Sequence, residues 1–190
     1  ARNNEFAKLD VLEQGIKEAH ERNKKFFLTV NTLPHNSKLK TFVSDMEPLI
    51  AMKPDALIMA DPGLIMTVRE KWPEMPIHLS VQANTTNYWG VKFWQNIGVE
   101  RIILSRELSM EEIAEIRQEC PDIELEVFIH GALCIAYSGR CLLSGYFNHR
   151  DPNQGTCTNS CRWDYKVHNA TEIDAGDAQL LQGFNFEKAQ

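Results

Sequence analysis

The chain has 190 residues, enough to bury the core of one domain, and carries 26 acidic against 20 basic side chains for a net charge of −6. That balance excludes a protein that coats nucleic acid through bulk charge, so an anionic partner must meet a local basic site. No apolar run approaches the roughly 20 residues that cross a bilayer, and "ARNNEFAKLD" at the N-terminus lacks both an apolar signal core and a small-residue cleavage site, which predicts a cytoplasmic protein with no membrane partner.

Taken in chain order, "VLEQGIKEAHER" has helical spacing, "KFFLTVN" is a short apolar strand, and "LKTFVSDMEPLIAM" is helical despite Pro48. Strand "DALIMA" follows, then helix "PGLIMTVREKW", with Asp61 placed to cap it and Pro62 in its first turn. The alternation continues through strand "IHLSVQA", helix "NYWGVKFWQNIG", strand "RIILS", helix "SMEEIAEIRQEC" and strand "LEVFIHG". The five strands recur about every 25 residues as continuous apolar runs, the pattern of parallel strands buried on both faces. The predicted class is therefore α/β.

No strand is followed by the G-x-G-x-x-G turn of a dinucleotide fold, which favours a partial (β/α) TIM-like barrel over a doubly wound sheet. A closed barrel needs eight strands and about 250 residues, so the chain reads as a fragment of a longer one, with residues 1–145 as partial barrel and 146–190 as a cysteine-containing loop and irregular tail. An open barrel leaves a free sheet edge, and pairing with another copy is expected there. Barrel chemistry sits where strands end, which places Asn31, Asp61, Gln82, Asn84, Ser105, Arg106, Glu107 and His130 at one mouth. Gln82 and Asn84 stand out, because two amides beside Thr85 and Thr86 exceed what capping one helix requires.

Four of the five cysteines, Cys134, Cys141, Cys157 and Cys161, are spaced C-x6-C-x15-C-x3-C. Four thiolates close a tetrahedral zinc site or fill the corners of a [4Fe-4S] cluster, and the spacing leaves both open beside unrelated buried thiols. Between residues 130 and 168, Arg140, Arg150, Arg162 and Lys166 face only Asp151 and Asp164, a net of +2 within a chain of net −6. Tyr137, Tyr146, Trp163 and Tyr165 lie there for base stacking, or for shielding a cluster from water. The same arginines suit a small dicarboxylate through bidentate pairs. Met46, Met52, Met59 and Met66 read as core fillers, Trp72, Trp89 and Trp94 as outer-layer packing, and Cys120 as a spectator thiol; His20 and His35 have no partner at metal spacing.

Glu126, Phe128, Gly131, Ala132, Leu133, Cys134, Gly139, Cys141, Leu143 and Ser144 reproduce the signature E-x-F-x2-G-[SA]-[LIVM]-C-x4-G-x-C-x-[LIVM]-S. By these residues the chain resembles the collagenase-like peptidase family of unknown catalytic type. The likeness extends to "NTLPHN", "KPDALIMADPGLIM", "HLSVQANTTNYW" and "DPNQGTCTNSCRW", and is closest to the prephenate-dependent tRNA wobble-uridine hydroxylation branch. It implies an enzyme of tRNA modification, an iron-sulfur-dependent hydroxylase converting wobble uridine to 5-hydroxyuridine. Proteolysis, or hydroxylation of rRNA or a ubiquinone precursor, is the alternative.

The resemblance also implies a [4Fe-4S] cluster on Cys134, Cys141, Cys157 and Cys161, with zinc as the alternative, and tRNA with prephenate as a small anionic co-substrate. Cys161 departs from branches whose fourth ligand is distant in sequence. Arg140, Arg150, Arg162 and Arg106 are the substrate-binding candidates; Glu126, His130, Gln82 and Asn84 are the catalytic ones. A peptidase would need an activated nucleophile or a metal-bound water. The chain holds neither H-E-x-x-H nor G-x-S-x-G, and a Cys134–His130 dyad is void if Cys134 ligates iron.

Overall fold

A computed structural model describes residues 8–131 and 133–165. Five parallel strands form one sheet in the order β1-β2-β3-β4-β5: Phe27–Val30, Ala56–Met59, Ile77–Leu79, Arg101–Ile103 and Glu124–Glu126. Each strand pairs with its predecessor in sequence, with Phe27 opposite Ala56, Leu57 opposite Ile77, His78 opposite Arg101 and Arg101 opposite Glu124. The order has no reversal, so the sheet lacks the switch-point crevice of a doubly wound fold.

Helices α1 (Leu9–Glu21), α2 (Asn36–Ala51), α3 (Pro62–Lys71), α4 (Tyr88–Asn96) and α5 (Met110–Glu119) alternate with the strands. Local chemistry sets their starts. The Asp61 carboxylate accepts from the Leu64 N–H at 2.9 Å ahead of Pro62, Asn87 accepts from the Gly90 N–H, and Ser109 with Glu112 forms a capping box at α5. Pro48 is accommodated inside α2.

Side chains alternate across each strand. One face carries Leu57, Met59, Ile77, Leu79 and Ile102, all fully buried, and joins Leu64, Ile65, Val68, Val91 and Ile116 from the helices in a single core. Each such aliphatic side chain contributes about 2–3 kcal/mol of burial. The opposite, more polar face carries Phe27, Thr29, Ala56, Ile58, His78, Arg101, Ile103, Glu124 and Glu126; burial on both faces holds for β2, β3 and Ile102 and Ile103 of β4 and fails at the edge strands β1 and β5. Glu124 and Glu126 are exposed, and Arg101 is half-buried.

Other expectations also shift. The fifth strand ends at Glu126 rather than running to Gly131, and Phe128 and Ile129 are exposed, Ile129 at 93%. Among the described residues β5 pairs with β4 alone, so the apolar run beyond it finds no second ladder there. A short helix, α6 (Leu143–Asn148), runs across the 145/146 boundary, and 3-10 turns follow at Pro152–Gln154 and Ser160–Arg162. Met46 and Met59 are core residues, whereas Met66 is exposed. Trp72 and Trp94 pack on the core, but Trp89 faces solvent. Among the described residues no helix is long and apolar enough to cross a membrane.

Candidate functional site at the C-terminal end of the sheet

The residues just past the strand ends form a connected polar layer. After β1, Asn31 Nδ2 donates to Ser80 Oγ at 3.1 Å, and that hydroxyl also accepts from the Gln82 N–H at 3.2 Å after β3. Asn84, left-handed at φ 53, receives the Ser105 hydroxyl at 3.0 Å after β4. Ser80, Thr85 and Ser105 are buried, and Gln82 Oε1 and Thr85 Oγ1 are buried without a hydrogen-bond partner. A buried polar atom of this kind costs about 1–3 kcal/mol unless a ligand or water satisfies it. The expected cluster thus forms in part. Asn31 joins Ser80 at the Gln82 turn, Asn84 joins Ser105, Arg106 turns to Ser138, Asp61 is spent on its helix cap, and Glu107 and His130 are exposed.

The cysteine loop folds back onto this layer. Arg106 donates to Ser138 Oγ at 2.9 Å while its guanidinium lies 5.4 Å from the Phe128 ring centroid. Gly139, at φ +72, rests on the backbone carbonyl of Gln82. Asn153 donates through Nδ2 to the Cys141 carbonyl at 2.9 Å, and its own carbonyl accepts from the Leu33 N–H at 3.0 Å, so the loop is also tied to the segment after β1. Asp151 organises the turn around Asn153. The Gln154 side chain at 2.8 Å and the Asn153 N–H at 2.8 Å hold its carboxyl below the usual carboxylate range despite partial burial. Ser80, Ser138 and Asn153 escaped the sequence reading; the Ser138-Gly139 pair is a turn signal there, but nothing local tells which surface the turn meets.

All five cysteines are free; Cys134 and Cys161 are exposed, Cys141 and Cys157 half-buried. As a donor set, four unpaired thiols in one loop suit a cluster or zinc. Among the described residues no three His, Cys, Asp or Glu side chains stand together at metal-holding distance. The loop is anchored at several points. Cys141 belongs to the part seated on Gln82 and Asn153. Cys157 and Cys161 flank a hydroxyl network in which Thr158 Oγ1 and Ser160 Oγ lie 2.7 Å apart, one donating to the other, and each stands 3.1 Å from Asn148 Oδ1, beside buried Ser144.

Arg140, Arg150 and Arg162 are exposed, Arg162 donating to the Leu133 carbonyl at 3.2 Å. Tyr137, Tyr146 and Tyr165 are at least half exposed, whereas Trp163 turns toward Phe147, with 6.2 Å between the ring centroids. Lys166 lies outside the described residues. Glu126 is exposed and pairs with Arg101 at 3.4 Å, the same guanidinium that holds Glu124 at 2.6 Å. That bridge belongs to a cleft of about 380 Å³ lined by Lys25, Phe27, Asp55, His78, Arg101 and Glu124 on the polar face. His78 is buried there against Phe27 at 4.7 Å, and burial, with Arg101 adding to it, pushes its pKa down to about 4. Of the remaining groups, His20 pairs with Asp55 at 2.9 Å, and buried Cys120 donates to the Tyr88 carbonyl with its thiol pKa pushed up by burial.

The family model described as Peptidase family U32 matches residues 1–188. The tRNA hydroxylation protein P of Haemophilus influenzae is 66% identical over 176 residues, which make up 93% of this chain and 38% of that protein. The tRNA hydroxylation protein P of Escherichia coli is 65% identical over 176 residues, 93% of this chain and 39% of that protein. The chain therefore spans about two-fifths of the length of these relatives. The solved structure of the U32 peptidase Mk0906 superposes with a TM-score of 0.55 at 16% identity, covering 63% of this chain and 51% of that one, a likeness of fold alone. With the family model matching nearly every residue and relatives at 65–66% identity across the same span, the chain belongs to peptidase family U32.

Proposed function

We propose that this chain is part of a longer tRNA hydroxylase that converts wobble uridine to 5-hydroxyuridine at the C-terminal end of its sheet. The observation that carries the reading is the pair of relatives named for tRNA hydroxylation, 65–66% identical over 93% of the chain. In this reading the consecutive parallel strands are an arc of a TIM-like barrel, whose further strands would cover the polar face and the free edges of β1 and β5. Pairing with a second copy is the alternative cover for those edges, and light scattering of the isolated chain distinguishes the two.

The roles follow from placement. Exposed Arg140, Arg150 and Arg162 supply phosphate contacts, and Tyr137, Tyr146 and Tyr165 supply faces on which unpaired bases stack. Arg106, Gln82 and Asn84, all just past strand ends, orient the reacting base or a small anionic co-substrate such as prephenate. Cys134, Cys141, Cys157 and Cys161 are proposed as the ligands of a [4Fe-4S] cluster, with zinc as the alternative metal. A cluster bound there would supply or accept single electrons.

Proteolysis is the weaker reading. Cys134 and His130 are both exposed, and among the described residues no serine or cysteine hydrogen-bonds a histidine. Nucleoside mass spectrometry of tRNA from a deletion strain tests the proposal. Loss of the wobble 5-hydroxyuridine derivatives, restored by the wild-type gene, is the expected result. Unchanged tRNA together with a gelatin-degrading activity that disappears in Cys134→Ala would replace hydroxylation with proteolysis.

A further inference from the structure

We infer that Gly139 is a positioning residue: it seats Cys141 against the C-terminal end of the sheet by letting the loop backbone lie directly on the Gln82 carbonyl. A Cβ built on Gly139 would fall on the Gln82 carbonyl oxygen and stand 3.2 Å from the carbonyl carbon. Both atoms are backbone, fixed by the 3-10 turn Val81–Ala83, whose Ser80 cap binds the Gln82 N–H. Neither can rotate away as a long side chain would. The φ of +72 adds a second demand that only glycine meets without strain.

The contact lies within a clamp. On the N-terminal side of Gly139, buried Ser138 receives the Arg106 guanidinium at 2.9 Å; on its C-terminal side, the Cys141 carbonyl is held by Asn153 at 2.9 Å. Cys141 is thereby fixed between the strand-end layer and the 151–156 turn, whereas Cys134, before the clamp, is exposed. Adding one methyl at residue 139 forces the loop off Gln82 and breaks the alignment of Ser138 with Arg106. The significance of this seat rests on the reading of the strand ends as the working face, but its existence does not, and the test reads thiol chemistry rather than hydroxylation.

Gly131 supplies the control. It also has a positive φ, +117, yet nothing lies within 4 Å of its Cβ position, so Gly131→Ala carries the backbone strain without the collision. The full-length protein, stripped of metal and reduced, is treated with iodoacetamide and each cysteine is followed by peptide mass spectrometry. Gly139→Ala is expected to raise the alkylation rate of Cys141 about tenfold, as a local opening would, and to leave exposed Cys134 and core-buried Cys120 unchanged. Gly131→Ala should leave Cys141 near its wild-type rate, and Arg106→Met should raise it part of the way. An unchanged Cys141 rate in Gly139→Ala overturns the inference. So does an equal rise in Gly131→Ala, which would assign the effect to strain, or a parallel rise at Cys120, which would assign it to general unfolding. A loss of tRNA hydroxylation in every variant with none of these thiol changes would count against Gly139 while leaving the functional reading intact.

Discussion

His78 gives the structure a pH signature that can be worked through. Its ring is 6% exposed on the polar face of the sheet, its Nδ1 is buried without a partner, and burial together with Arg101 lowers its pKa from 6.5 to about 4, while Glu124 pulls weakly the other way. At ~1.36 kcal/mol per pH unit the difference corresponds to about 3 kcal/mol. Because the folded pKa lies below the unfolded one, the unfolded chain takes up the proton first. The contribution is therefore whole above pH 6.5, declines as the pH falls toward 4, and levels off below that. Urea unfolding of the wild type and of His78→Phe, measured between pH 4 and 8, isolates the effect, since phenylalanine keeps a ring against Phe27 and cannot titrate. The carboxylates, among them Asp55 and Asp151, are common to both proteins. The wild type should lose about 3 kcal/mol more than the variant across the window. Parallel profiles would refute the reasoning and show that the imidazole is hydrated in solution.

Leu57, fully buried at the centre of the sheet, should cost about 3 kcal/mol when changed to alanine, whereas exposed Leu142→Ala should stay within about 0.5 kcal/mol, both read from urea midpoints at constant m. Replacing Arg140, Arg150 and Arg162 together with alanine should weaken tRNA binding and lower the slope of log K against log salt by about 2 to 3, at ~0.7–0.9 per phosphate contact; an unchanged slope would remove these residues from the interface. Anaerobic reconstitution followed by iron and sulfide analysis should give a visible chromophore in the full-length wild type and in Cys120→Ala. It should fail in Cys134→Ala, Cys141→Ala, Cys157→Ala and Cys161→Ala, and two dispensable cysteines among those four would end the cluster assignment.

What the sequence determined by itself is the part of the structure written in short-range chemistry. The alternation of strand and helix, the Asp61 cap before Pro62 and the Ser109 start of α5 depend on hydrogen bonds and periodicities that close within four residues. The family signature is likewise a local pattern, and the family it points to is the one to which the chain belongs. Strand pairing was accessible one step further, because consecutive parallel strands joined by single helices lie side by side more often than not.

Tertiary structure alone decided what those residues meet. Glu126, a catalytic candidate by its place in the signature, is held by Arg101 because period-two alternation puts Arg101, Glu124 and Glu126 on one face; strands of three residues are too short to display that period in sequence. The pairing of Arg106 with Ser138 spans 32 residues. The seat of Gly139 on Gln82 depends on the path of the whole loop, and neither contact leaves a mark in local composition. Four clustered cysteines announced a donor set, but the tie of Cys141 to the 151–156 turn and of the Cys157–Cys161 segment to α6 was fixed by Asn153, Thr158 and Ser160. Their hydrogen bonds act across ten residues or more, beyond the range of any spacing rule.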